Sequence, residues 1–286
     1  MDDLLLSALR LSIPLIFAAL GGLLSERGGV ANIALEGFIL VAAFSAAAVT
    51  SLYSSLPLGL LAAAVVTFAF GGLFAAVCIW GKADQIVVGT AFNLMAMGCI
   101  PVACRALFSQ TGSTPTLPLE LRFSEPAYFA VVAFSVAGLL WYIIRSTRFG
   151  LRLRAAGDYP EALEAQGVSV PALRWWAISL GAVVVSAAGV YISLCQASGY
   201  SRNMAGGRGF IALAALIFGG WKPLPTLAAC CFFGLMDALQ IQVQNIVAVQ
   251  ANIPDQFIQV FPYIMTLLVL MFSSRSIRAP LAINRR

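Results

Sequence analysis

The chain has 286 residues, 60% hydrophobic and 10% charged, with a net charge of +5 and a mean hydropathy of +0.92. A soluble domain carries about 25% charged residues, so an ordinary water-facing globular surface is excluded. The length suits instead an all-α, polytopic transmembrane helical bundle of about eight to ten spans, each taking about 20 apolar residues and a short connection. The basic residues sit between apolar runs, not in the clusters that nucleic-acid binding requires, so no nucleic-acid partner is expected. Histidine is absent, and Cys78, Cys99, Cys104, Cys195, Cys230 and Cys231 lie in or beside apolar segments without a CxxC pair. No metal or haem site is expected, and the cysteines read as small apolar packing residues. Met1-Asp2-Asp3 is acidic where a cleavable signal peptide would be basic, so no such peptide is expected.

From Gly28 to Gly81 the only Asp, Glu, Lys or Arg is Glu36, and from Trp175 to Ser201 there is none. The apolar runs predict spans near 4–24, 30–50, 57–80, 86–108, 127–145, 174–195, 209–220, 224–242 and 258–273 in one membrane domain covering 1–286. The run 209–220 is too short for a core about 30 Å thick. It reads as half of a broken or re-entrant pair with 224–242, hinged at Trp221-Lys222-Pro223-Leu224-Pro225.

Basic residues orient such a map, because they accumulate on the cytoplasmic side. With 146–173 placed in the cytoplasm, that side receives twelve: Arg27, Lys82, Arg145, Arg148, Arg152, Arg154, Arg174, Lys222, Arg275, Arg278, Arg285 and Arg286. The other side receives four, Arg105, Arg122, Arg202 and Arg208. The N-terminus is therefore expected outside and the C-terminus in the cytoplasm, with Gly206-Gly207-Arg208-Gly209 extracellular.

An internal echo pairs 32–40 with 210–218, each after a Gly-Gly lead-in and before a Pro-started apolar run. On this map the two copies point in opposite directions, as in the inverted repeats of transporters, whose substrate path lies at the repeat interface.

The longest cytoplasmic connection reads as a short helix. Asp158 is the expected N-cap, Pro160 falls in the first turn, and Glu161 sits three residues after the cap, as in a capping box. Ala162 to Gln166 favour helix and Gly167 suits the left-handed residue that ends one, giving about two turns. So short a helix needs packing from the bundle or a partner.

Four segments carry a resemblance, in family order across most of the chain: Glu26-Arg-Gly-Gly-Val-Ala-Asn-Ile-Ala-Leu-Glu-Gly37, Gln85-Ile-Val-Val-Gly-Thr-Ala-Phe-Asn-Leu94, 150–168, and Gly207-Arg-Gly-Phe-Ile-Ala-Leu-Ala-Ala-Leu-Ile-Phe-Gly-Gly-Trp-Lys-Pro-Leu224. They resemble the permease subunits of ABC importers for nucleosides and simple sugars, the branched-chain type. The resemblance implies a multi-pass protein of the bacterial plasma membrane. It also implies a second, homologous permease, an extracytoplasmic substrate-binding protein, and ATPase subunits gripping a coupling helix at Gly157, Asp158, Pro160, Glu161, Ala162 and Gly167. The chain has no G-x-x-x-x-G-K-[ST] phosphate loop, so ATP is expected on the partner and no cofactor or hydrolytic activity here. The motif wording leads to nucleosides, ahead of riboflavin and then a simple sugar.

Four residues are candidates for the substrate path: Asn32, Glu36, Asn93 and Phe210. Glu36 is a carboxylate in an otherwise uncharged span and must face a cavity or a partner. A structural or gating contact, for instance with Arg10, and a ligand contact are both open. The two amides suit sugar hydroxyls or nucleobase edges, or else interhelical bonds. Phe38, Phe92, Phe210 and Phe218 offer faces for a planar ring, or simply pack. A secondary transporter or channel would carry more ion-coupling carboxylates than Glu36 and Asp237, and a membrane enzyme would show a nucleophile–base pair.

The topology is testable by cysteine labelling from either side of the membrane, in a background without native cysteines. A cysteine at Ser169 is expected to react only from the cytoplasmic side; reaction from outside alone overturns the map.

Overall fold

The computed structural model describes residues 2–250 and 279–281. The described chain is helical: α1 (Asp2–Arg27), α2 (Leu35–Tyr53), α3 (Leu56–Ile79), α4 (Gln85–Phe108), α5 (Pro126–Ser146), α6 (Arg148–Asp158), α7 (Pro160–Glu164), α8 (Val170–Tyr191), α9 (Arg208–Phe218) and α10 (Pro223–Gln250). Seven helices, α1 to α5, α8 and α10, contain segments long and apolar enough to cross a membrane. The expected span 258–273 lies outside the described residues.

Local chemistry sets most boundaries. The Asp84 carboxylate accepts from the Ile86 and Val87 amides to start α4. Proline occupies the first turn of α3, α5, α7 and α8, where a missing N–H leaves no bond unmade. Ser54 and Ser109 end α2 and α4 in the left-handed conformation. The span expected at 30–50 begins later, at Leu35. Gly29 adopts φ 85°, and the stretch after it stays irregular because side chains from neighbouring elements hold its backbone.

The coupling segment departs from its sequence reading. The Thr147 hydroxyl accepts from the Gly150 amide, starting a helix that runs on to Asp158. Asp158 therefore closes α6 instead of capping the next helix. Tyr159, kept out of the helical region by the following proline, stands at the α7 N-cap, where no side-chain cap bond forms, and α7 is five residues, not two turns. With Tyr159 at the N-cap, Glu161 stands two residues after it, not the three of a capping box. Gly167 is left-handed, with φ 76°, as its position predicts.

In the bundle α1, α2 and α8 are mostly enclosed, whereas α3, α4, α5 and α10 turn most of their side chains outward. Tyr128, Val131, Val132 and Leu139 on α5 are exposed apolar groups, consistent with a lipid-facing side. Association inside a bilayer has no hydrophobic drive between helices, so close contact depends on small residues. Gly21 and Gly181 supply it between α1 and α8: a Cβ on either would strike the other's carbonyl oxygen. Gly189 likewise lets α8 approach the Ile39 carbonyl of α2.

Gly181→Leu should therefore lower the thermal midpoint of the detergent-solubilised protein by the equivalent of about 1–3 kcal/mol or more. Gly98→Leu, at a position with open space around it, should leave the midpoint within experimental scatter. Equal shifts would refute the close-packing assignment.

Candidate functional site

The loop 28–34 is held from several sides. Glu26 at the end of α1 accepts the Asn32 amide at 3.4 Å, Gln85 accepts the Ala31 amide at 2.7 Å, and Arg174 Nε donates to the Gly28 carbonyl at 2.7 Å. Asn32 is buried and bonded to its own surroundings: its Nδ2 donates to Ser25 Oγ and its Oδ1 accepts from Ala34. Asn93 on α4 is buried too. Its Oδ1 accepts from the Gly37 amide at 2.7 Å and its Nδ2 donates to the Ile33 carbonyl at 2.9 Å. Gly37 is the third residue of α2, so its N–H is one of the donors that a helix start leaves orphaned. Asn93 caps that helix from a neighbouring one.

Glu36 repeats the device one step further. Its two carboxylate oxygens accept from the Gly207 amide at 2.8 Å and the Gly209 amide at 2.7 Å, at the start of α9. Its partner is thus the α9 N-terminus, not Arg10. Gly209 allows the approach, since a Cβ there would collide with the Glu36 backbone. The segments 32–40 and 210–218, paired by sequence as an echo, are not built alike: 32–34 precede α2, whereas 210–218 is helix throughout, and Glu36 of the first bonds Gly207 and Gly209 just ahead of the second.

The depth of this contact follows from α8. Arg174 reaches Gly28, and Gly189, fifteen residues on, packs against Ile39. At 1.5 Å per residue that separation is about 22 Å, which puts Glu36 about 18 Å along the bundle. The α9 N-terminus therefore lies near the middle of a core about 30 Å thick. The stretch Gly206–Gly209 enters the bundle to reach Glu36, in contrast to its expected position in an outer loop. Helix α9 is a half-span of 11 residues, about 16 Å. Half-helices with their positive ends at mid-membrane are a transporter feature. Phe210, in the first turn of α9, is 49% exposed. Of the four path candidates it alone is open; Asn32, Glu36 and Asn93 are each buried and bonded to protein.

The far end of α9 is tied to α1. Trp221, between α9 and α10, takes a left-handed backbone with φ 54°, which is rare for so bulky a residue. Its indole donates to Glu26 Oε2 at 2.6 Å, and its carbonyl accepts from Arg27 Nε at 2.6 Å. The coupling segment joins the same hub. Arg174 also donates to the Ala156 carbonyl at 3.0 Å, and Gly157 packs so closely on the Arg27 carbonyl that a Cβ would not fit. Pro160, Glu161 and Ala162 lie in α7 and Gly167 just after it, with Glu161, Ala162 and Gly167 exposed. A cavity of about 390 Å³ between α6 and α7 is lined by Arg148, Arg152, Ala162, Leu163 and Gln166 among others. Arg174, Gln85 and Glu26 had no site role in the sequence, although Glu26 and Gln85 open two of the segments that carry the resemblance and Arg174 marks a span end.

Seven crossing-length helices and a half-span whose N-terminus is capped inside the bundle define a multi-pass membrane protein. The chain belongs to the family described as branched-chain amino acid transport system / permease component, whose model matches residues 4–270. It is 34% identical over 281 residues to the nucleoside ABC transporter permease protein NupC of Lactococcus lactis subsp. cremoris, covering 91% of this chain and 88% of that one. It is 33% identical over 280 residues to the guanosine ABC transporter permease protein NupQ of Bacillus subtilis, covering 90% and 87%. A glucose ABC transporter permease protein of Haloferax volcanii is more distant, 24% identical over 79% of this chain and 66% of its own length. No solved structure matches the chain significantly.

Because Asn93 holds a buried helix start, Asn93→Ala should destabilise the protein by about 1–3 kcal/mol, read as a lower thermal midpoint. Asn93→Asp, which keeps the acceptor for Gly37 but sets a second oxygen against the Ile33 carbonyl, should not recover that loss. A full-stability Asn93→Ala variant would show that the cap is dispensable.

Proposed function

We propose that this chain is the translocation subunit of an ATP-driven nucleoside importer, working with a second, homologous permease, cytoplasmic ATPase subunits and an extracytoplasmic binding protein. One observation carries the mechanical part. Arg174 bonds both the Gly28 carbonyl and the Ala156 carbonyl, so movement of the α6–α7 segment bears directly on the loop that leads to Glu36 and α9. The names of the relatives NupC and NupQ, together with the motif wording, support a nucleoside as the solute.

In this reading the N-terminus is outside, the C-terminus is cytoplasmic, and α6–α7 docks on the ATPase through Gly157, Asp158, Pro160, Glu161, Ala162 and Gly167. Nucleotide hydrolysis occurs on the partner. A downward pull on α6 displaces the Arg27 and Gly28 backbone, which carries Glu26 and Trp221 with it. The α9–α10 turn follows, and α9 tilts about its capped N-terminus. Glu36, through its grip on Gly207 and Gly209, acts as the pivot. Phe210 beside that pivot presents an apolar face to a ring-bearing solute, while Asn32 and Asn93 shape the path by fixing the loop and the start of α2.

Co-expression with its transporter partners should give ATP-dependent uptake of guanosine but not of glucose; the reverse preference would overturn the solute assignment. Glu161→Lys should reduce co-purification of the ATPase without lowering the thermal midpoint of the permease. Arg174→Ala should retain the ATPase and its hydrolysis yet lower uptake per ATP by about tenfold, the scale set by losing charge-assisted hydrogen bonds. Unchanged uptake per ATP in Arg174→Ala would remove this link from the mechanism.

A further inference from the structure

With Asn32, Glu36 and Asn93 occupied by protein groups, the hydrogen bonds for a polar solute have to come from elsewhere. The described bundle holds a second polar concavity, at the opposite end of α1 from the Arg27 hub. Pro14 has no N–H, so the Arg10 carbonyl one turn before it lacks its helical partner. Two side chains from the α8 end replace that partner: Tyr191 Oη donates at 3.2 Å and Gln196 Nε2 at 3.3 Å. Gln196 is delivered by a π-helical turn, Ile192–Gln196, that continues α8. Such turns occur frequently at functional sites. On the other side, Gly234 lets α10 approach α1 at Ala8 and Ser12. This contact places Ala238, Ile241 and Gln242 against the same end of α1.

The result is a cavity of about 390 Å³ lined by Ser7, Arg10, Leu11, Gln196, Ala238, Ile241 and Gln242, within the size range of small-molecule sites, about 300–1,000 Å³. Its apolar lining comes from buried Ala238, half-buried Leu11 and exposed Ile241. Its rim carries a guanidinium, two carboxamides and a hydroxyl, and Ser7, Arg10, Gln196 and Gln242 are all exposed. A guanidinium and two amides facing acyl chains would be costly, so this face opens to water or protein. The concave shape, with polar groups converging beside an apolar lining, favours a solute.

We infer that this cavity is the outer reception subsite for the solute, and that it is built for a purine nucleoside with a 6-oxo group. This rests on the nucleoside reading and orientation proposed above. The Arg10 guanidinium matches the O6/N7 edge of guanine, which takes two parallel donors. The carboxamides of Gln196 and Gln242 both accept and donate, which suits the N1–H and N2–H₂ groups on the next edge. Ser7 suits a ribose hydroxyl, and the ring lies over Leu11 and Ile241. On the proposed orientation the cavity opens toward the side from which the binding protein delivers substrate.

The test is photolabelling of the assembled transporter in membranes with 8-azidoguanosine loaded on its binding protein, followed by peptide mapping of this chain. Label is expected in peptides containing Ser7 to Leu11, Gln196 or Ala238 to Gln242, and excess guanosine should remove it. Arg10→Gln and Gln242→Ala should each lower that label about five- to tenfold. Labelling of the binding protein and retention of the ATPase should stay unchanged. Both variants leave in place the Arg10 backbone carbonyl, which accepts from Tyr191 and Gln196. Label confined to other peptides, or undiminished in both variants, overturns the inference. So does disulfide formation between cysteines placed at Ser7 or Gln242 and the second permease in the resting complex, which would make this face a subunit contact. A wild-type complex that imports guanosine yet leaves these peptides unlabelled overturns the subsite alone. One that imports no guanosine overturns the nucleoside reading, and the subsite falls with it.

Discussion

A carboxylate in the middle of an apolar bundle must be neutralised or surrounded by donors, and the way Glu36 meets that requirement determines how α9 sits. A charged residue at the centre of a membrane helix costs about 2.5–3.5 kcal/mol on an insertion scale. Hydrogen bonds to a charged group contribute about 1.5–3 kcal/mol each, and Glu36 makes two, to Gly207 and Gly209. The positive end of the α9 dipole adds to them. The donors benefit equally, because a helix start left bare at that depth would have its amides unsatisfied. Glu36 and the α9 N-terminus therefore each satisfy the other's polar groups at this depth.

The same logic runs outward from that pair. Asn93 stabilises the start of α2, which positions Glu36, which positions α9. At the other end of α9, Trp221 sits in a left-handed backbone that its own Cβ disfavours. It is retained by bonds at both its indole and its carbonyl. A half-helix fixed at its deep end by a carboxylate and at its shallow end by a strained, doubly bonded turn has little freedom to bend. That property suits a gate better than a flexible loop would.

The membrane architecture was legible because hydropathy and length bear directly on it: 57–80 and 86–108 fall within a residue or two of α3 and α4. The short α9 was legible for the same reason, since eleven residues cannot span a bilayer. The coupling segment was less so. Asp158 followed by Pro160 and Glu161 has the local signature of a helix start, but Thr147 had already begun a helix that absorbs Asp158. A local signal lost to an earlier one that tertiary packing supports, through Gly157 against Arg27. The expensive residue, Glu36, was identifiable from sequence, while its partners were not, because Gly207 and Gly209 act through backbone amides that carry no side-chain signature. Arg174 was counted only as a positive charge at a span end; its contact with Gly28 is 146 positions away along the chain.

Gly157 and Arg174 together show why transmission through this region can be stiff. Gly157 has no side chain, so the α6 backbone lies directly on the Arg27 carbonyl, and a displacement cannot be absorbed by a rotamer change. Arg174 spans the two backbones with a planar guanidinium, bonding Gly28 and Ala156 at once. A lysine in its place has a single ammonium on a flexible stem and cannot reproduce that planar fork. Backbone-to-backbone contact and a rigid bridge are what distinguish a mechanical linkage from ordinary packing, where side chains yield by small shifts. In the proposed mechanism, displacement of α6 would reach the α1–α2 loop through these contacts without depending on the stability of α7 itself.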